Sequence, residues 1–269
     1  MAAPAGPWRL IAEDVRPGPM QMALDEVAAE TAADGGPWTI RVYTWDPSTL
    51  SLGYRQDPET VDWQYCEHEG IDVVRRPTGG GGIYHDRHGD VSYSIVAPAE
   101  ALPGDLMDTY TLLCEPLFDA LAALGVEAGF AAEPAPPIYE PACYLRGIDP
   151  AHDVVAGEFR KISGNAQYRQ REAVIQHGSL THERYIGPHL GVFSAPLEAG
   201  PFHERVTSVH EQVGADRAET VEALVTAFES WADADRGAWR EAELDRARDL
   251  VEAKFGTDAW NRRRVDSSA

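Results

Sequence analysis

Apolar positions recur along the chain with two periods, and their alternation predicts an α/β protein. Between Pro19 and Thr31, Met20, Ala23, Leu24, Val27 and Ala28 fall at helical spacing, with Asp25 and Glu26 off the stripe. The run T-I-R-V-Y-T-W alternates instead, Ile40 and Val42 on one side and Arg41, Tyr43 and Trp45 on the other, which predicts a half-buried strand. Leu50 to Gly53 reads as a second short strand, Pro58–Glu69 as a helix stopped by Gly70, and I-D-V-V-R-R (71–76) as a strand. Extension resumes at Ile83–His85, Gly89-Asp90 signals a turn, and V-S-Y-S-I-V-A (91–97) alternates again. Asp105–Leu124 is the clearest helix, with Leu106, Tyr110, Leu113, Leu117 and Leu121 three or four apart and Gly125 after its end. Residues 131–151 are proline-rich and irregular. Then H-D-V-V-A, F-R-K-I-S-G-N-A-Q and A-V-I-Q-H-G-S-L read as strands, with a break expected at Gly164. From Glu219 two helical stripes follow, Val221 to Trp231 and Leu244 to Phe255.

Composition narrows the function. A chain of 269 residues, 43% hydrophobic, can bury one large core or a main domain with a small appendage. A formal net charge of -21 repels nucleic acid and anionic membrane, so neither is expected as a partner. Three cysteines without C-x-x-C spacing indicate neither a disulfide framework nor a cysteine metal site. No signal-peptide pattern and no run of 18 apolar residues is present, so a cytoplasmic location is expected. Only two of the 23 basic residues are lysines, Lys161 and Lys254. Acidity with lysine nearly eliminated matches a surface adapted to high salt, a halophilic trait, and makes a lysine inside a glycine-containing motif conspicuous.

The stretch R-R-P-T-G-G-G-G-I-Y-H-D, Arg75 to Asp86, is the strongest local signal. Glycine lets backbone amides approach a ligand closely, and four in a row lose much entropy on ordering. With Arg75 and Arg76 beside them, they suit an anionic or carboxyl-bearing ligand. The stretch is neither a P-loop nor a dinucleotide fingerprint, because no G-K-[ST] follows and no helix opens after it. Lys161 stands before I-S-G-N-A-Q, a second place of close backbone approach.

Other residues leave two readings open. His85 and His88, with Asp86 and Asp90, form a pattern too loose for a metal site, and no metal is assigned. His177-Gly178 is either a ligand contact or a buried, hydrogen-bonded histidine. Cys143, 18 positions before Lys161, is either an incidental loop cysteine or a nucleophile beside a cation. Cys114 lies in a helical apolar stripe and reads as a core thiol, and Cys66 has no assigned role.

The ordered series M-A-L-D-E, R-V-Y-T-W-D-P-S-T-L-S-L-G-Y-R-Q, R-R-P-T-G-G-G-G-I-Y-H-D, G-D-V-S-Y-S-I, R-K-I-S-G-N-A-Q, H-G-S-L and V-T-S-V resembles the lipoate-protein ligase A family of the biotin/lipoate ligase superfamily, over roughly residues 20–262. The resemblance implies a twisted mixed sheet flanked by helices, as in class II aminoacyl-tRNA synthetases and biotin ligases. It also implies a catalytic domain over 17–214, a helical extension packed on it over 215–262, and a disordered tail over 263–269.

The expected activity is ATP-dependent ligation. Lipoate or octanoate would be activated to acyl-AMP, with Mg2+ accompanying ATP, and passed to a lysine of lipoyl-domain acceptors, the E2 subunits of 2-oxoacid dehydrogenases or the glycine cleavage H protein. Carried across, Lys161 would bind the carboxylate and α-phosphate. Arg76, Gly79, Gly80, Gly81, Gly82, Ile83, Tyr84, His85, Asp153, Gly164, Asn165 and Ala166 would hold the nucleotide and adenylate. His177 and Gly178 would line the acyl tunnel. The family's Asn-Asp reads His152-Asp153 here. Ligases of this family carry or pair with a further small domain, so a separate accessory subunit is an expected partner. Cys143 resembles in placement the nucleophile of cysteine-dependent octanoyltransferases, and transfer from octanoyl-acyl carrier protein is the alternative activity. A non-catalytic protein binding lipoyl domains or adenylate is the second alternative.

Overall fold

A computed structural model describes residues 2–148, 153–170 and 172–266, so His152 and the last three residues of the 263–269 tail lie outside the description. The first half of the chain runs β1 (Trp8–Arg16), α1 (Gly18–Ala33), β2 (Trp38–Trp45), β3 (Thr49–Leu52), α2 (Trp63–His68), β4 (Asp72–Arg75), β5 (Ile83–His85), β6 (Asp90–Pro98) and α3 (Leu106–Ala123). The second half runs β7 (Ala128–Phe130), β8 (Asp153–Ala156), β9 (Arg160–Arg169), β10 (Ala173–Thr181), α4 (Ile186–Gly191), α5 (Ala199–Arg205), α6 (Val209–Val213), α7 (Arg217–Ala232), β11 (Asp235–Arg236), α8 (Glu241–Leu250) and α9 (Asp258–Arg263).

The strands form a mixed eight-stranded sheet in the order β11-β1-β2-β6-β10-β9-β8-β7 and a small sheet β4-β3-β5. Period-2 alternation divides the large sheet's side chains between two helical layers. Leu10, Val42, Tyr93 and Ile95 pack on one face with Leu113 and Leu117 of α3 and Leu224 and Phe228 of α7. Ile11, Tyr43, Trp45 and Ile175 pack on the other with Met22 and Leu24 of α1 and Leu250 of α8. The small sheet adjoins this second face, where the His85 ring stacks on Trp45 at 4.2 Å.

Local chemistry explains most element ends. The Asp105 carboxylate accepts from the Met107 and Asp108 amides and starts α3, and Gly125 at φ +84° follows its end. The predicted helix 58–69 is two pieces. Asp57 caps a short turn at Glu59, Val61 is extended and bridges to Phe193, and Asp62 caps α2 at Tyr65. β1 escapes the sequence pattern because its apolar run, Trp8–Ile11, is short and broken by Arg9, a buried charge held by Glu243. The strand expected to be half-buried, β2, is buried on both faces, as are β6 and β10. The break expected at Gly164 is absent, since β9 runs through it. Its irregularity lies two residues earlier, where Val154 pairs with Ser163 and Val155 with Lys161, leaving Ile162 as a bulge.

Candidate functional site

The bulge at Ile162 decides which face Lys161 serves. Three residues apart on a regular strand, Lys161 and Gly164 would face opposite ways. With one extra residue between them, Ile162 joins the α3–α7 core, and Lys161 and Gly164 both meet Cys143. The buried Lys161 ammonium donates to the Cys143 carbonyl at 3.0 Å and pairs with Asp153 Oδ1 at 3.0 Å. A Cβ at Gly164 would stand 3.7 Å from Cys143 Sγ, an ordinary contact. Cys143 is half-buried, whereas Cys66 and Cys114 are in the core, where burial pushes each thiol up to about 12. Of the three thiols, Cys143 alone is placed to react.

The glycine stretch is built onto this segment. Gly82 donates to the Pro141 carbonyl at 2.7 Å and accepts from the Cys143 amide at 2.8 Å. A Cβ at Gly81 would come within 2.8 Å of Pro141 O and 2.9 Å of Cys143 N, so glycine there permits the approach. Gly80 turns the loop at φ +96°. Gly79 and Gly80 line a cavity that also opens to Cys143, Gly164, Asn165, Ala166 and His177. Ile83 lines it too, and Tyr84 lies in β5, its hydroxyl donating to Asp86 at 3.1 Å.

Arg76 and Gly82, both expected at the nucleotide, turn their donors inward. The five N–H groups of Arg76 are all engaged by its own chain: Nε on Thr78 Oγ1, Nη1 on the Ser51 carbonyl and hydroxyl, and Nη2 on the Gly79 and Gly81 carbonyls. Burial pulls its guanidinium down to about 10, so it stays charged at neutral pH and clamps the loop. The Gly82 amide is likewise occupied. Arg75, fully buried, donates to the carbonyls of Gly53, Tyr54, Gln56 and Asn261, binding the loop's start to α9.

Two histidines back the clamp. His177 lies 2.8 Å from Thr78 Oγ1 through Nε2 and 3.4 Å from Asp25 through Nδ1. His85 lies 2.9 Å from Ser51 Oγ through Nε2 and 3.1 Å from Asp90 through Nδ1. One tautomer satisfies each chain: Nδ1–H donates to the carboxylate and Nε2 accepts from the hydroxyl, which itself accepts from Arg76. Burial lowers the affinity of His177 for a proton, with Asp25 opposing. Both rings line the cavity. Gly178 contributes backbone only. A Cβ there would meet Tyr93 and Asn165 Oδ1 at 2.5 Å on the sheet's other face, where the Tyr93 hydroxyl donates to Asn165. Asp25, Ser51, Thr78 and Asp90 were not singled out for this support, although all four stand inside the quoted motif series. Among the described residues no cluster of three His, Cys, Asp or Glu is placed to hold a metal ion.

Residues 17–229 match the family described as the lipoyl protein ligase A/B catalytic domain. The chain belongs to this family. Within the lipoyl protein ligase A/B family it is similar to the octanoyltransferase LipM of Symbiobacterium thermophilum, 33% identical with 96% of this chain and 98% of the relative covered. Similarity to LipM of Kyrpidia tusciae is also 33%, covering 96% and 99%. Among solved structures, a bipartite lipoate protein ligase of Thermoplasma acidophilum, studied with its E2 lipoyl domain, matches at TM-score 0.80 and 25% identity over 97% of this chain and 98% of that one. A lipoate-protein ligase A bound with ATP matches at 0.79 and 26%, covering 96% and 100%. These relatives correct the expected ATP-dependent ligation: curated relatives at near full length are octanoyltransferases. The ligase structures share the fold, which both activities use. Among the described residues no helix is long and apolar enough to cross a membrane.

Proposed function

We propose that this chain moves an octanoyl group from octanoyl-acyl carrier protein to the acceptor lysine of a lipoyl domain, through a thioester on Cys143. The observation that carries this reading is the half-exposed Cys143 thiol at a cavity, its backbone held by the buried Lys161 ammonium and by Gly82. The Cys143 thiolate attacks the donor's acyl carbon. The oxyanion so formed collapses, the carbon–sulfur bond to the carrier breaks, and the carrier thiol leaves with the proton that Cys143 gave up. The acceptor amine then attacks the new thioester, an amide forms, the amine loses a proton and Cys143 regains its thiol. A thioester is already activated, so no nucleotide is consumed.

Lys161 supplies fixed positive charge beside the reacting atoms, preorganised by Asp153 and by the Cys143 carbonyl. Arg76 acts through the loop it clamps. Incubation with octanoyl-acyl carrier protein should add one octanoyl mass to the protein, lost on treatment with hydroxylamine, and an apo lipoyl domain should then receive it without ATP. Cys143→Ala should abolish both events. Transfer that persists in Cys143→Ala, or that requires ATP, would overturn the reading.

A further inference from the structure

β4 is an outer strand of the small sheet and pairs with β3 along one edge. At its end the Arg76 amide turns toward β3 and donates to the Leu52 carbonyl at 3.0 Å, so the Arg75 amide and carbonyl point outward and need other partners. Two side chains of α9 supply them. Asn261 Oδ1 accepts from the Arg75 amide at 2.8 Å and Trp260 Nε1 donates to the Arg75 carbonyl at 2.7 Å, as a neighbouring strand would. The Asn261 carbonyl also accepts from the Arg75 guanidinium, from Nε at 3.0 Å and Nη2 at 2.8 Å. α9 is itself anchored. Asn261 Nδ2 donates to the Phe255 carbonyl at 2.9 Å. Lys254, the second of the chain's two lysines, lies 4.8 Å from the Trp260 ring centre and donates to Glu26 of α1 at 2.9 Å.

The other side of Arg75 reaches the site. Its Nη1 holds the carbonyls of Gly53, Tyr54 and Gln56, and that turn abuts the glycine loop. The Tyr54 amide donates to the Thr78 carbonyl at 2.7 Å, and a Cβ at Gly53 would run into the Gly80 carbonyl. Gln56 Nε2 donates at 3.2 Å to the Pro141 carbonyl, which also accepts from Gly82. We infer that Asn261 and Trp260 are positioning residues for transfer at Cys143, acting through Arg75 on the glycine loop and the Pro141–Cys143 segment. Both are buried, and α9 lies beyond the residues 17–229 that match the catalytic-domain family. Four glycines in a row do not fix their own conformation, so the loop is held at its ends. Arg76 clamps it from within, and α9 fixes its root.

The kinetic part of this inference rests on the transfer reading, so the test adds readouts that need no acyl group. Asn261→Ala and Trp260→Phe each remove one partner of Arg75, and the second keeps a ring in the core, so that a folded variant is in hand. Both are compared in the full chain with Leu117→Ala, a core truncation on the sheet's other face. Circular dichroism checks folding. Hydrogen exchange in peptides covering 53–56 and 77–83 should rise on the order of tenfold in both α9 variants, the effect of one lost hydrogen bond on local opening. The rate of Cys143 alkylation by iodoacetamide should change with it. Octanoyl transfer should lose about tenfold in kcat with KM for the carrier within about twofold, the signature of misplacement rather than weaker binding. Leu117→Ala should lower the urea midpoint and leave exchange in these peptides, alkylation and kcat at the parent's values. Parent values of all three in a folded α9 variant overturn the inference, as do equal shifts in Leu117→Ala. A parent protein that takes up no octanoyl, with exchange and alkylation still shifted in the α9 variants alone, overturns the transfer reading and supports α9 as the support of the Cys143 segment.

Discussion

Lys161 Nζ lies 3.0 Å from the carbonyl oxygen of Cys143 while its other partner, Asp153, lies 3.0 Å away on the neighbouring strand. Cys143 is therefore positioned through its own backbone by a buried ion pair. Removing one partner of such a pair leaves the other charge uncompensated. Lys161→Met should lower stability by about 3–5 kcal/mol in urea unfolding and slow acyl transfer on the order of 100- to 1000-fold in single turnover. Transfer within twofold of the unaltered protein would remove Lys161 from the chemistry.

Arg76 holds five hydrogen bonds within its own loop, and a lysine there can donate three from a single point. Arg76→Lys should therefore destabilise by about 3 kcal/mol and slow loading of Cys143. A variant that unfolds at the same urea concentration as the parent would show that the clamp contributes nothing.

The four glycines differ in what surrounds them. Gly79 has no atom within 4 Å of a Cβ, whereas Gly81 would press on Pro141 O at 2.8 Å. Gly79→Ala should leave both the melting temperature and the alkylation rate of Cys143 unchanged. Gly81→Ala should displace the Cys143 segment, lowering the melting temperature by several degrees for a loss of about 1–3 kcal/mol and altering alkylation by iodoacetamide. Equal effects at the two positions would contradict the pairing of the glycine stretch with Pro141–Cys143.

His189, buried against Tyr84 and Phe202, is pushed by burial from 6.5 down to about 4. Its neutral form is favoured in the folded state, so the unfolded chain takes up the proton first as pH falls. Stability contributed by this group is complete above pH 6.5 and is lost as pH falls toward and through about 4. At about 1.4 kcal/mol per pH unit over that interval, the loss is about 3 kcal/mol. His177 and His182, also lowered by burial, act in the same direction. The urea midpoint should decline between pH 7 and pH 4, and His189→Phe should flatten the decline. An unaltered slope in that variant would assign the acid sensitivity elsewhere.

α3 and α7, each with an apolar stripe against one core, were legible from the residues. Strands β2, β6 and β10 also appear where alternation and turn signals place them, although both their faces are buried between the two helical layers. β1 was not legible, because its apolar run Trp8–Ile11 is short and broken by Arg9, whose charge Glu243 holds. The short helices α4 to α6 also lack a readable stripe, each being seven residues or fewer and held by tertiary contact. At the site, residue types were legible and roles were not. The guanidinium beside four glycines looks like a ligand clamp in sequence, yet its donors close on the loop itself.

By itself the sequence determined the family, the α/β class and the small set of residues among which the chemistry lies, because motif order, period and glycine placement are properties of the chain. Tertiary structure decided the rest. A single bulged residue, Ile162, turns Lys161 onto the face of Gly164, and pairing of Gly82 with Pro141 and Cys143 brings the thiol to both. These contacts join segments 18 to 61 positions apart, for which the local pattern carries no signal. In that arrangement the four-glycine stretch is the support against which the Cys143 segment is held.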